Sequence, residues 1–170
     1  MRTFLGAVPL SVLAVTLTLV VAVTGSDVVA RWLQTRRSVA GLLLFGFGFV
    51  LSATIVPTGA ALDGEISDRV CDLSRVGFAP LDEFTRLNVT TLNVLLFMPL
   101  GVAVGLLPRA RRSLFVALAA TSLTFVVETI QLLLPVLGRG CETADIVDNL
   151  LGLVIGVALG VMLRPLVRGA

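Results

Sequence analysis

The amino-acid sequence predicts an all-α integral membrane bundle of about five transmembrane helices, and three observations carry that expectation. Of 170 residues, 56% are apolar and 14% charged, whereas an ordinary soluble domain has about 25% charged residues. Mean hydropathy is +1.03, which gives a soluble fold no place for its apolar surface. Five apolar runs, at 4–23, 39–56, 92–107, 114–134 and 146–163, each come near the ~20 residues that cross a ~30 Å hydrocarbon core. With loops too short to carry a second sizeable domain, residues 1–170 form one transmembrane domain.

The first run is read as a retained helix. A cleaved signal peptide is the rival, because Val28-Val29-Ala30 loosely resembles a cleavage site, but the run exceeds the ~7–15-residue core of a signal. Arg31, Arg36 and Arg37 follow it. The second run leads into a long loop, 57–91, that carries Asp63, Glu65, Asp68, Asp72, Asp82 and Glu83. The third contains Pro99, where a kink is expected; proline in a membrane helix is tolerated where neighbours satisfy the freed carbonyl. Arg109, Arg111 and Arg112 precede the fourth run, and Arg164 and Arg168 follow the fifth. Three arginine-rich segments thus alternate with acidic ones, so the positive-inside rule puts those three segments in the cytoplasm. The N-terminus and the loop 57–91 then face outward, and the C-terminus is cytoplasmic.

The charge content also excludes functions. All 13 basic residues are arginines and histidine is absent, which removes a P-loop, a Schiff-base lysine, a serine–histidine triad and a histidine-ligated metal. A pI near 9.0 reflects membrane-flanking loops and not a nucleic-acid face. No cofactor and no metal are expected. Cys71 and Cys141 both fall in outward loops, where a disulfide can persist; the sequence leaves a bridge and two free thiols both open. Asn88-Val89-Thr90 matches the glycosylation triplet by chance.

Polar residues inside the spans mark the candidate site. Thr121, Thr124, Glu128 and Gln131 recur at steps of three and four, which puts them on one helix face, away from lipid. An acidic group in a span costs at least ~2.5 kcal/mol at the membrane centre, so Glu128 is a functional candidate by default. The fifth helix opens with Asp145, Asp148 and Asn149, then places Gly152, Gly156 and Gly160 at intervals of four, a pattern for close helix packing. Asn93, Phe97, Gly101 and Gly105 form a matching stripe on the third. Arg139, in the turn between the fourth and fifth helices, is in reach of Glu128, Asp145 or Asp148. The bland alternatives are that the aspartates are helix caps and that the whole cluster is a structural ion-pair knot.

In order and spacing these residues resemble the VanZ-like family, over about 76–163. The matching elements are Phe78-Ala79-Pro80-Leu81, Asn93 with Phe97-Met98-Pro99-Leu100-Gly101, Glu128 and Gln131, and Arg139 with Asp145, Asp148-Asn149 and Gly152. The family tends to have an asparagine and an aromatic around the proline of the first element, where this chain has Gly77 and Leu81. The resemblance implies a multi-helix membrane protein of bacterial envelopes, with reduced susceptibility to teicoplanin, a lipoglycopeptide antibiotic, as the best-known phenotype and no settled reaction.

Three functions follow as expectations. The first is an outer-leaflet polar site, made of Asn93, Glu128, Gln131, Arg139, Asp145, Asp148 and Asn149, that engages a membrane lipid or lipid-linked envelope precursor. The second is a membrane enzyme in which Glu128 is the acid or base and the two aspartates orient substrate or bind a divalent cation. The third is a structural or partner-binding bundle. Oligomeric state is not legible.

Overall fold

A computed structural model describes residues 2–169, with side chains over 10–167. Six α-helices appear among the described residues: α1 (Arg2–Leu33), α2 (Arg37–Ile55), α3 (Gly59–Leu62), α4 (Val89–Leu106), α5 (Arg111–Leu133) and α6 (Thr143–Gly169). All but α3 are long and apolar enough to cross a membrane. The protein is an all-α integral membrane bundle.

Two helices outrun their apolar stretches. α1 continues through Arg31 to Leu33, so the segment weighed as a cleavage site is helical, with Ala30 and Leu33 buried. α6 starts before its apolar run and continues past Arg164 to Gly169. Helix geometry extends beyond the hydrocarbon because polar flanking residues keep the intrahelical hydrogen bonds, while hydropathy reports only the greasy part. α4 runs unbroken through Pro99.

The centre of the bundle is a contact between α4 and α6, the most extensive in the molecule. Its cause is the glycine stripe on each helix. A Cβ added at Gly101 would collide with the carbonyl oxygen of Leu153, and at Gly105 with that of Val157. From the other side, one at Gly152, Gly156 or Gly160 would strike the carbonyl of Val94, Met98 or Val102. Backbones meet backbones over more than two turns, as small residues allow in a membrane, where no hydrophobic force draws helices together. α2 joins this pair through Gly46, whose position for a Cβ is 2.9 Å from the Leu100 Cα, and α1 packs mainly on α2. Phe97, Leu100, Ala103 and Val50 are fully buried at this junction.

Arginines tie the helices together at one end. Arg164 donates to the Gly105 carbonyl at 2.6 and 3.1 Å, Arg112 to the Trp32 carbonyl, and Arg37 to Ser26 Oγ at 3.0 Å with Asp27 Oδ1 at 3.3 Å. At the other end lies the long loop, closed by a disulfide between Cys71 and Cys141 with Cα atoms 4.5 Å apart. The same residues open a two-residue parallel strand pair, Cys71–Asp72 (β1) with Cys141–Glu142 (β2), which hydropathy cannot reveal in so short a segment.

Candidate functional site

The disulfide end of the bundle contains a cavity of about 470 Å³. Its apolar wall is Phe49 and Ala53 from α2 with Val89, Leu92, Leu95 and Leu96 from α4. Leu92 and Leu95 are about half exposed, so the wall continues onto the exposed apolar surface of α4. Its polar wall is Asn93 from α4, Glu128 and Gln131 from α5, Arg139 from the α5–α6 turn, and Asp145 and Asn149 from α6.

Each polar side chain is held by a local cause. Glu128 is 3% exposed, and its Oε2 accepts the Glu142 backbone N–H at 2.9 Å, so the strand pair that follows Cys141 supplies a donor to the buried acid. Gln131 Nε2 donates weakly to the Thr54 carbonyl at 3.5 Å, and Asn149 Nδ2 to Thr124 Oγ1 at 3.4 Å. The Arg139 carbonyl accepts from Ser67 Oγ at 2.8 Å, which fastens the turn to the long loop. Burial pulls the Arg139 guanidinium below its ordinary pKa, opposed by the nearby Asp145 carboxylate.

Several hydrogen-bonding atoms here are buried without a protein partner: Asn93 Nδ2, Gln131 Oε1, Arg139 Nε and Asn149 Oδ1. Unpaired buried polar atoms are rare, each costing about 1–3 kcal/mol. All four belong to residues that line the one cavity, two of them donors and two acceptors. Asp145 lies beside the Asn93 amide without the geometry of a hydrogen bond.

Three expectations are corrected. Asp148 does not face the cavity: fully buried, it is bound by the fork of Arg75, Nη1 to Oδ1 at 3.1 Å and Nη2 to Oδ2 at 2.5 Å. The carboxylate in turn holds the Arg75 guanidinium above its ordinary pKa. Arg139 makes no ion pair with Glu128; the described ion pairs are Arg75–Asp148 and Arg37–Asp27, and the carboxylate that acts on Arg139 is Asp145 on α6. Thr121 is exposed and returns its hydroxyl to the Ala117 carbonyl at 3.0 Å, since it lies a full turn farther from the cavity than Thr124.

Arg75 was missed in the sequence, hidden among acidic loop residues. The available signal was Asp148 itself, a carboxylate on the glycine face of α6 that could not be buried there without a cation. The loop reinforces the pair: Thr143 Oγ1 donates to the Arg75 carbonyl at 2.9 Å, and Arg75 Nη1 to the Gly77 carbonyl at 2.9 Å. Of the first motif, Ala79 is buried while Phe78 and Leu81 are exposed.

A family model described as VanZ/LLP1 matches residues 10–164. The chain belongs to that family. No curated protein and no solved structure matches it. The VanZ-like match is wider than the 76–163 stretch carrying the motifs, because α1 and α2, which hold few polar residues to recognise, are part of the same unit. α2 gives this VanZ-like protein Phe49, Ala53 and Thr54 of the cavity wall.

Proposed function

We propose that this protein sits in the bacterial plasma membrane with the cavity at the outer leaflet, where it engages a lipid or lipid-linked envelope component and thereby alters teicoplanin susceptibility. The observation that carries the reading is the cavity's two-sided chemistry: an apolar wall continuous with the lipid-facing surface, and a polar wall with four unpartnered buried atoms. An amphiphile matches both, since its chain covers Leu92 and Leu95 and its head satisfies the polar groups. Arginines at the opposite end support the orientation, with the N-terminus outside and the C-terminus in the cytoplasm. The seven-residue set proposed from sequence becomes six, Asp148 acting as the anchor for Arg75. Mass spectrometry of lipids retained by the purified protein tests this, together with teicoplanin susceptibility of expressing cells. Asn93→Leu and Gln131→Leu, which remove polar atoms from the wall, should lower retention and change susceptibility; unchanged values in both assays refute the proposal.

One observation favours a second reading, a membrane enzyme: Glu128 and Asp145 share the cavity and interact electrostatically, and a pair of carboxylates suits acid–base chemistry. Turnover of an envelope lipid by purified protein, abolished by Glu128→Gln, supports that reading, and its absence leaves binding alone.

A further inference from the structure

Resting on the lipid reading above, we infer that the headgroup seated in the cavity is zwitterionic: a primary ammonium against Glu128, Gln131 and Asn149, and an anionic oxygen against Arg139 and Asn93. The argument is local pairing of charge and of hydrogen-bonding atoms. Glu128 has no cationic partner among the described residues; Asp145 and Glu142 crowd it with charge of the same sign. Gln131 and Asn149, 5% and 2% exposed, add unpartnered carbonyl oxygens to the same cavity. A primary ammonium has three N–H donors and one positive charge, which answers a carboxylate and two amide oxygens together.

The donor side differs. Arg139 Nε and Asn93 Nδ2 make no hydrogen bond, although the Asp145 carboxylate lies near both, and a guanidinium N–H is best answered by a directly bonded anionic oxygen. The nearby Arg75–Asp148 pair neutralises itself and competes for neither end of the ligand. A headgroup with phosphate alone would leave Glu128 facing a like charge, and an uncharged sugar would leave Glu128 without a counter-charge and Arg139 with only the Asp145 carboxylate, which makes no ion-pair contact with it. A primary ammonium a few bonds from a phosphate oxygen meets both demands.

The full chain with its disulfide intact, purified in detergent, is exchanged against single lipids of equal acyl composition: an ethanolamine phospholipid, its N-acetylated form, a glycerol phospholipid and a glucosyl diacylglycerol. Retained lipid per protein is read by mass spectrometry. The expected result is at least ~10-fold stronger retention of the ethanolamine lipid than of its N-acetylated form, the scale of one charge-assisted hydrogen bond. Glu128→Gln should bring the two together. Water-soluble glycerophosphoethanolamine should compete only at concentrations far above the lipid. Equal retention of both forms, or preference for the glycerol or glucosyl lipid, overturns the ammonium inference and leaves the lipid reading standing. Equal competition by the soluble headgroup, or lipid retention indifferent to Asn93→Leu and Gln131→Leu, overturns the lipid reading. Should Glu128→Gln fail to fold, the comparison of the two ethanolamine forms on the unaltered protein decides alone.

Discussion

The Arg75–Asp148 pair gives the sharpest energetic prediction. Asp148 is 1% exposed in its side chain and Arg75 27%, so the partners respond differently to loss of the other. Arg75→Ala leaves a carboxylate beside the α4–α6 glycine seam without its cation. Breaking a buried pair this way costs about 3–5 kcal/mol, and the partial exposure of Arg75 puts this case near the lower end. Asp148→Asn is milder: the amide keeps an acceptor and Arg75 can turn toward water, for a cost of about 1 kcal/mol. The double change removes the stranded charge and should cost no more than about 1.5 kcal/mol, well below the sum of the single changes. The assay is unfolding of purified protein in detergent by added denaturing surfactant, followed by circular dichroism with the disulfide oxidised. Single and double changes that add to within ~0.5 kcal/mol, or Asp148→Asn more harmful than Arg75→Ala, would refute the account.

The glycine seam predicts that Gly156→Ala destabilises by about 1–3 kcal/mol through overpacking, whereas Gly140→Ala, with nothing within 4 Å of the added carbon, stays within ~0.5 kcal/mol; the same unfolding assay reads both. Cys71 and Cys141 close a loop with a sequence separation of 70, for which chain entropy gives about 4.4 kcal/mol. Reduction, or Cys71→Ser with Cys141→Ser, should lower the unfolding midpoint and raise protease cleavage of the long loop, and an unchanged cleavage pattern counts against the clamp. For topology, a reporter fused after Arg112 should read as cytoplasmic and one inserted near Asp68 as extracytoplasmic; the opposite pattern overturns the outer-leaflet placement.

The bundle was legible because bilayer thickness imposes a length on apolar runs, and a backbone without water must be helical. The glycine seam was legible because Gly101, Gly105, Gly152, Gly156 and Gly160 repeat at the helical period. Convergence of Asn93, Glu128 and Asn149 could be read from their shared depth at the ends of apolar runs. Their individual partners could not be read. Whether Asp148 meets Arg139 or Arg75 depends on how a long irregular loop returns over the α6 N-terminus, and that path is fixed by Ser67, Thr143 and a two-residue strand pair with no periodicity to detect. The apolar wall was invisible for another reason: Leu92 and Leu95 look like any membrane leucine until Phe49 and Ala53 line the same cavity.

The seam between α4 and α6 also divides the cavity into parts with different mechanical roles. Interlocked carbonyls and glycines resist both sliding and rotation, since either would drive backbone into backbone. Asn93, Asp145 and Asn149 therefore ride on a single strut and keep their mutual spacing. Glu128 and Gln131 stand on α5, and Phe49 on α2, both of which meet the strut over smaller contacts. Any widening that admits a bulky occupant must come from these two helices, as a door swings against a fixed jamb. A crosslink between α2 and α5 would then fix the cavity's width, while one between α4 and α6 would leave that width unconstrained.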